Sequence, residues 1–397
     1  MIDFDARSAT FLADPLAGFA ELRRACPVGW SKADEAWVVA SYDAVYQVLQ
    51  DHETFSNEAY SRGDAPPLLV LAQDPPIHSK YRRLLNPFFS PGIVDRLRPK
   101  MEAYSTELLD RVIERGSCDL ILDYGNPFPA LVVLELCGLP TDEWLKFAEP
   151  NHAMQYATPG SPEHDEALAG MRWIAEQIFV TAAARRDDPR DDLISALATA
   201  EVDGELVPLP DVVGITMTVV GGGVDTTTSL YGNAMRYLSQ NLQARQRLLD
   251  EPELLATACE EFLRHFTPAQ ILSREVRKPV EVNGQNLCPG ELLEVAVASA
   301  NHDESAFPDA ADMQIDRFPN RHAAFGLGIH RCVGSNVARA MIQLMIRHTL
   351  ERMPAYRIVE EGARHYGSPI VNGWITMPAT YPPGPRIGSG IALPTSN

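Results

Sequence analysis

The sequence predicts a mainly α-helical protein with a small β portion, organised as one large domain over residues 1–397 with a tail from about residue 383. Three observations support this prediction. Most of the chain carries apolar residues at the three- and four-residue spacing of helices that bury one face. Short segments typical of strands are concentrated between residues 279 and 301. No linker, internal repeat or low-complexity block divides the chain.

The elements predicted in the first half of the chain include four amphipathic helices and one strand. Asp14 and Pro15 mark the first helix start, because a capping acid followed by proline is typical of helix N-termini. The strand is AWVVA. The four helices are PLAGFAELRRAC, YDAVYQVLQDHETF, residues 94–115 and EALAGMRWIAEQIFVTAAARR.

A long central helix is predicted to start near Pro208 and Pro210. One of its faces continues at steps of three or four through Val212, Ile215, Val219, Gly222, Thr226 and Leu230. Three consecutive glycines, residues 221–223, lie in this helix, and each costs roughly 1 kcal/mol relative to alanine in a helix interior. Their presence therefore needs a reason other than helix stability.

The last third of the chain begins with a predicted helix, PELLATACEEFLRHF. The segments PVEVNG and ELLEVAVASAN then predict short strands. Residues 303–331 are irregular and rich in Pro, Asp and Gly, and a last long helix is predicted from near Cys332 to about Met353. PATYPPGPRIGSG is typical of a loop and tail.

Composition excludes several classes of protein. The net charge of −19 argues against non-specific binding to nucleic acid or to an anionic membrane. Six cysteines without CxxC spacing predict neither a disulfide framework nor a zinc ribbon. The N-terminus lacks the pattern of a signal peptide, and the longest apolar run, residues 130–139, is interrupted by Glu135 and predicts a buried helix. We therefore expect a cytoplasmic protein with neither a nucleic-acid partner nor membrane insertion.

The most specific stretch of the sequence is FGLGIHRCVG, residues 325–334. It places one thiol at the predicted start of a helix, where the helix dipole stabilises a thiolate. Gly326, Gly328 and Gly334 would let the backbone approach a flat, bulky group. The residues alone leave three interpretations open: a buried structural cysteine, a zinc site with His322 and His330 that lacks a fourth ligand, or an axial thiolate to haem iron.

This loop resembles the haem-binding signature FGxGxHxCxG of the cytochrome P450 family, and other segments agree with the family in order and spacing over nearly the whole chain. The resemblance implies a single large cytochrome P450-like domain of the soluble bacterial type. It places haem b between the central Gly-rich helix and the Cys-loop helix. It also implies that Cys332 ligates the haem iron.

Other residues acquire roles through the same resemblance. Glu261 and Arg264 are similar to the family's ExxR pair, which acts structurally, and Arg317 is the candidate third member. Because His78 and Arg82 lie four residues apart on a predicted helix, they share one face. The resemblance implies that the haem propionates are held by His78, Arg82, Arg274 and His330, with His322 a weaker candidate. It implies further haem contacts from Phe325, Gly326, Gly222 and Gly223.

The central glycines lie in the segment Gly222-Gly223-Val224-Asp225-Thr226, which resembles the family pattern A/G-G-x-D/E-T. The resemblance implies that small residues leave a groove where dioxygen can lie, slightly looser here because Gly222 stands where alanine is more usual. Consecutive helical residues point about 100° apart, so Asp225 and Thr226 cannot face the same point. We therefore assign Thr226 to the oxygen groove and Asp225 to proton relay.

The resulting hypothesis is a haem-thiolate monooxygenase that inserts one atom of O2 into a small-to-medium apolar substrate by hydroxylation or dealkylation. Leu68, Val70 and Ile271 favour an apolar substrate. Electrons would come from NAD(P)H through a reductase and a ferredoxin that binds a basic face comprising Lys80, Arg83, Arg331 and Arg339. The alternatives are a peroxide-driven peroxygenase on the same fold, a non-catalytic haem protein, and a hydrolase that uses Cys332 and His330.

Overall fold

Helices make up 56% of the chain and strands 12% in the computed structural model, which confirms the mainly α class with a small β portion. The structure describes residues 4–61, 68–366, 368, 370–391 and 393. It divides into two compact units. The first unit comprises Met1–Ser79, Ala256–Val333 and Gly367–Asn372; the second comprises Lys80–Leu255, Gly334–Tyr366 and Gly373–Asn397.

The α-helices are α1 (Ala9–Ala13), α2 (Pro15–Ala25), α3 (Tyr42–Gln50), α4 (Ile77–Leu85), α5 (Pro91–Asp110), α6 (Pro127–Cys137), α7 (Trp144–Ala153), α8 (Pro162–Asp187), α9 (Leu193–Thr199), α10 (Leu209–Gln240), α11 (Leu242–Asp250), α12 (Leu255–Phe266), α13 (Val297–Ala300) and α14 (Ser335–Arg352). The strands are β1 (Val28–Ser31), β2 (Ala36–Val39), β3 (Phe55–Ser56), β4 (Ser117–Asp119), β5 (Glu201–Val202), β6 (Glu205–Leu206), β7 (Ile271–Val276), β8 (Val280–Val282), β9 (Gln285–Leu287), β10 (Leu292–Ala296), β11 (Arg357–Ile358), β12 (Arg364–His365), β13 (Trp374–Thr376) and β14 (Pro378–Thr380).

The first unit is built on a five-stranded sheet with the order β1-β2-β10-β7-β3. β10 pairs in parallel with β2 and antiparallel with β7, and the register places Leu293 opposite Trp37 and Arg274. Apolar side chains of this sheet and of α3 form a buried core that includes Val45, Phe55 and Leu293. The sheet thus supplies a fixed frame for the polar residues of the adjoining segments.

The second unit is built around α10, the long central helix, which packs against α6, α8 and α14. α10 begins after Pro208, with Pro210 in its first turn, as the sequence predicts. Its second half is buried almost completely, from Val224 to Met235 apart from the half-buried Thr226. A helix enclosed on most sides is apolar around most of its circumference, so the polar residues that it does carry call for an explanation.

α6 confirms the prediction of a buried helix at residues 130–139. The segment Leu120–Cys137 is long and apolar enough to cross a membrane by length and composition, but 83% of it is buried inside the protein. Leu131, Val132 and Leu134 are each no more than 1% exposed. The apolar character of this segment is therefore that of a core helix.

The predicted elements that differ from the observed ones include a strand and the last long helix. The strand predicted over ELLEVAVASAN ends at Ala296, and residues 297–300 form α13 instead. All four residues of α13 are buried. In a short segment that is buried on every side, the spacing of apolar residues cannot distinguish a helix from a strand. The last long helix begins at Ser335 rather than near Cys332, so Cys332 lies in the loop before α14.

Two buried histidines of the first unit lead to a prediction about stability and pH. The rings of His265 and His302 are 4.9 Å apart, and burial lowers the pKa of His265 to about 4 and that of His302 to about 3. An unfolded chain binds protons at these residues below about pH 6.5, whereas the folded protein does not. We therefore expect the free energy of unfolding to fall as the pH drops from 6.5, by about 1.4 kcal/mol per pH unit for each histidine.

Urea unfolding of the holoprotein between pH 5 and 8 measures this dependence. His302→Gln should flatten it, because one of the two histidines no longer takes up a proton on unfolding. Glu294 provides the opposite control: burial raises the pKa of its carboxyl to about 7, so the folded protein holds a proton that the unfolded chain loses. Glu294→Gln should therefore make the free energy of unfolding fall more steeply as the pH drops. If the free energy of unfolding depends on pH equally in the wild type and both variants, these residues do not cause the dependence.

Candidate functional site

The loop of residues 325–334 turns tightly, as the sequence predicts. The backbone N–H of Cys332 donates to the carbonyl oxygen of Phe325 at 2.8 Å. Gly326 and Gly328 have φ of +65° and +66°, and a Cβ atom at Gly328 would lie 2.7 Å from the carbonyl oxygen of Leu49. Gly334 differs, because its φ of −77° is open to any residue and it serves as the N-cap of α14. The loop ends with an exposed thiol at Cys332.

The surroundings of this thiol differ from those of the buried cysteines. Burial raises the pKa of the Cys137 and Cys259 thiols well above the ordinary value, which suits inert core residues. Cys288 is exposed, but it lies outside the Gly-rich loop. Within the described residues no group of three or more His, Cys, Asp or Glu side chains is arranged to hold a metal ion. A cysteine outside any such group fits an axial iron ligand, which needs only one sulfur donor, better than a zinc site.

Three of the four predicted propionate partners lie in the first unit. The rings of His78 and His330 are 4.2 Å apart, and Nε2 of His330 is 3.7 Å from Oδ1 of Asp74. Arg274 is 4% exposed and donates from Nη1 to the carbonyl oxygen of Ser273 at 2.8 Å, and burial lowers the pKa of its guanidinium. The charge of Asp74 and a side-chain hydrogen bond with Tyr60 offset part of this lowering of the Arg274 pKa. A buried cation of this kind fits an anionic group such as a propionate.

The remaining histidine and arginine candidates have other neighbours. Arg82, on the part of α4 that belongs to the second unit, donates from Nε to Oδ1 of Asn86 at 3.1 Å. The His322 side chain is 3% exposed, and its Nε2 lies 3.1 Å from a carboxylate oxygen of Glu260. His322 is therefore a packed histidine with a carboxylate partner of its own.

Glu261, Arg264 and Arg317 form the network that the sequence predicts. Arg264 donates from Nε and Nη2 to the two carboxylate oxygens of Glu261, both at 2.8 Å, and Arg317 donates from Nε to the same oxygens at 3.1 Å. Burial alone would raise the pKa of Glu261, but the hydrogen bonds from Arg264, from the backbone N–H of Gln314 and from Arg317 together lower it. Arg264 and Arg317 also donate to backbone carbonyls of residues 301–312. The network therefore holds the irregular segment onto α12.

The three central glycines of α10 have different surroundings. A Cβ atom at Gly223 would lie 2.7 Å from Cγ2 of Val133, so this glycine allows α6 to approach closely. At Gly222 a Cβ atom would meet nothing within 4 Å, and the residue is exposed. Thr226 donates from Oγ1 to the carbonyl oxygen of Gly222 at 2.9 Å. Packing explains Gly223, whereas Gly222 and Thr226 border open space.

Asp225 lies on a different side of α10 from Thr226. Asp225 is 2% exposed, and its Oδ1 is 2.7 Å from Nδ1 of His152, on α7. The hydroxyl of Tyr366 lies 2.9 Å from the same nitrogen. Sequence reasoning missed both partners, which are 73 and 141 residues away from Asp225 along the chain, and no local pattern could have indicated them.

The four cations of the predicted basic face differ in exposure and in their partners. Lys80 forms an ion pair with Asp203, which offsets its charge. Arg83 and Arg331 are exposed, whereas Arg339 is half-buried and donates to the carbonyl oxygen of Ser335. Arg331 belongs to the first unit, and Lys80, Arg83 and Arg339 belong to the second.

A mainly α-helical fold with an exposed cysteine in a Gly-rich loop and a buried Glu-Arg-Arg network fits an oxidoreductase whose haem iron takes a cysteine ligand. Residues 158–354 match the family model described as "Cytochrome P450". The chain is 32% identical over 357 residues to the steroid C26-monooxygenase of Mycobacterium tuberculosis, covering 88% of this chain and 95% of the relative. It thus belongs to the cytochrome P450 family and is a cytochrome P450 monooxygenase.

Solved structures support the same conclusion. CYP109E1 from Bacillus megaterium in complex with testosterone matches with a TM-score of 0.87 and 28% identity, covering 94% of this chain and 99% of that one. CalO2 matches with a TM-score of 0.89 and 26% identity, covering 97% and 100%. The family implies a haem iron, and the accessible thiol of Cys332 and the buried guanidinium of Arg274 fit the metal and the carboxylates of that group.

Proposed function

We propose that this protein, as one domain over residues 1–397, inserts one atom of O2 into an apolar organic substrate, with Cys332 as the thiolate ligand of haem iron. The observation that carries the proposal is the exposed thiol of Cys332 in a loop turned by two glycines with positive φ. When bound, the haem supplies dioxygen activation and one-electron chemistry. The chain's own residues hold the group, orient the reactants and move protons.

The haem-holding residues divide by chemistry. Arg274 and Arg82 donate to propionate oxygens from guanidinium groups, which match a carboxylate in geometry, and His78 and His330 add imidazole donors. The glycines allow close approach because they have no side chain, and Phe325 covers apolar surface. The proposed apolar and backbone contacts are Phe325, Gly326, Gly222 and Gly223.

Thr226 and Asp225 form the proposed catalytic pair. The hydroxyl of Thr226 borders the open space at Gly222, and it would supply a hydrogen-bond donor to that space after leaving the Gly222 carbonyl. The carboxyl of Asp225 holds and delivers a proton, since general acids within reach of a reacting atom contribute typically 10²–10⁴-fold to rate. The overall reaction that the pair serves is RH + O2 + 2e⁻ + 2H⁺ → ROH + H2O.

The electron source in this proposal is a ferredoxin reduced by an NAD(P)H-dependent reductase, in a cytoplasmic setting. Arg83 and Arg331 are exposed cations on a protein of net charge −19, and local positive charge attracts an acidic partner. Lys80 and Arg339 complete the proposed face. Because Asp203 pairs with Lys80, we expect Arg83 and Arg331 to contribute more to ferredoxin binding.

For the substrate we propose a rigid apolar molecule, with steroids as the first class to test. One relative is named a steroid C26-monooxygenase, and one structural neighbour holds testosterone. Val70 is buried and Leu68 is exposed in a segment that we assign to the pocket wall.

The deciding experiment is the ferrous carbon monoxide difference spectrum of the purified holoprotein, followed by substrate titration. We expect the red-shifted band of a thiolate ligand and a shift of the iron spin state as testosterone is added. Product should form with ferredoxin, reductase and NAD(P)H. Absence of the thiolate band would overturn the proposal, and efficient turnover with peroxide alone would favour a peroxygenase.

A further inference from the structure

A buried polar cluster surrounds the carboxyl of Asp225 in the second unit. Three atoms form a triangle: Nδ1 of His152 lies 2.7 Å from Oδ1 of Asp225, the Tyr366 hydroxyl lies 2.9 Å from that nitrogen, and the same hydroxyl lies 3.4 Å from Oδ1. His152 is 4% exposed and Tyr366 is 3% exposed. The cluster joins α10, α7 and the residue that follows β12.

Both oxygens of Asp225 are buried, but their surroundings differ. Oδ1 faces His152 and Tyr366. Oδ2 has no hydrogen-bond partner among the described residues, and the same holds for Nε2 of His152. A buried carboxylate oxygen without a partner carries a desolvation cost of several kcal/mol. Its presence beside the proposed reaction centre therefore indicates a functional role for Oδ2.

The surrounding chain fixes the cluster. A Cβ atom at Gly373 would lie 2.1 Å from Oγ of Ser229 and 2.5 Å from Cε2 of Tyr366, so only glycine allows this close approach. The Tyr366 backbone N–H donates to the carbonyl oxygen of Gly373 at 2.8 Å. Burial and the nearby charge of Asp225 raise the pKa of Tyr366, so the phenol stays protonated and remains a donor.

We propose that His152 and Tyr366 are positioning residues that hold Oδ1 of Asp225 and thereby leave Oδ2 as the oxygen through which the proton is delivered. The inference rests on the proposed function, since it concerns the proton relay assigned there to Asp225. Its physical basis is that the two donors restrict the rotation of the Asp225 carboxylate. A carboxylate held at one oxygen by two donors cannot turn about its Cβ–Cγ bond, so the other oxygen keeps one direction.

The test compares two ways of driving the same oxidation. Hydrogen peroxide brings the oxygen atom together with both electrons and both protons (RH + H2O2 → ROH + H2O), whereas the O2 reaction needs protons to be delivered. In His152→Phe, which keeps ring volume but loses Nδ1, we expect the ratio of O2-driven to peroxide-driven rate to fall about tenfold, since positioning is part of general acid efficiency. For Tyr366→Phe we expect a fall of about threefold, because its contact with Oδ1 is longer.

Two further variants provide the controls. His152→Asn places an amide N–H close to the position of Nδ1 and should return the ratio to within about twofold of the wild type. Tyr156→Phe is the matched control, because the Tyr156 ring packs 5.5 Å from that of His152 and 6.0 Å from that of Tyr366 but is not part of the triangle. It should leave the ratio unchanged.

A second readout does not depend on activity. In the diamagnetic ferrous carbon monoxide form, we expect the Nδ1 proton of His152 to give a slowly exchanging NMR signal that disappears in Asp225→Ala. Equal loss of both rates in His152→Phe would assign the cluster to structure alone, and an unchanged ratio would overturn the inference. If wild-type protein shows no thiolate band, the proposed function fails, while the NMR signal still reports whether His152 holds Asp225.

Discussion

Cys332→Ser should leave a folded protein with less than about 1% of wild-type O2-dependent turnover, because the thiolate that favours O–O cleavage is lost. The red-shifted carbon monoxide band should disappear with it. Serine differs from cysteine at one atom and has nearly the same size, so the loss reports on chemistry rather than on folding. The measurements are the difference spectrum and product formation with saturating redox partners.

Cys288→Ser is the matched control for this prediction. Cys288 is also an exposed thiol of the first unit, but it lies on the turn between β9 and β10. We expect its replacement to leave the spectrum and the turnover unchanged. If Cys332→Ser keeps the red-shifted band, another residue ligates the iron and the assignment of Cys332 is wrong.

Glu261→Gln should produce the largest loss of stability. Glu261 and Arg264 are fully buried and Arg317 is 8% exposed, so removing the one carboxylate leaves two guanidinium groups without their charge partner. Breaking a buried pair in this way typically costs about 3–5 kcal/mol. We expect a fall of that size in the free energy of unfolding, measured by urea denaturation, together with loss of haem on purification.

Glu260→Gln tests whether that loss is specific. Glu260 precedes Glu261 on α12, but its side chain is 27% exposed and its carboxylate lies 3.1 Å from Nε2 of His322. Because the Glu260 carboxylate reaches solvent, its removal leaves no pair of buried charges without a partner, and we expect a loss of about 1 kcal/mol or less. Similar destabilisation by the two substitutions would show that α12 tolerates no change of charge, and the special role of Glu261 would be lost.

The candidate site was predictable to the extent that it depends on local sequence. Gly326 and Gly328 adopt the positive φ that a tight loop requires, and Glu261 and Arg264 meet because residues three apart share a helix face. Arg317 was predicted as their third member from the family resemblance, and it donates to Glu261. Short-range geometry decides the loop turns and the Glu261–Arg264 pair, so residue types and spacing were sufficient for these, whereas Arg317 reaches Glu261 from 56 residues away.

The surroundings of α10 were not predictable in the same way. Three glycines in a row indicated a groove, but the structure gives Gly223 a packing role against Val133 and leaves only Gly222 open. Asp225 was assigned to proton relay without any partner, and the partners that it has are His152 and Tyr366. Helix period predicts the direction in which a side chain points, but not which residue of a distant element it meets.

The sequence by itself determined the helical class, the cysteine loop and the charged network on α12, because turns, caps and neighbouring helical positions are governed by residues a few places apart. Only the tertiary structure decided which buried groups surround Asp225, that α13 is a helix, and that Lys80 pairs with Asp203. These outcomes depend on contacts between segments far apart in the chain. Burial and packing set such contacts, and neither can be read from local composition.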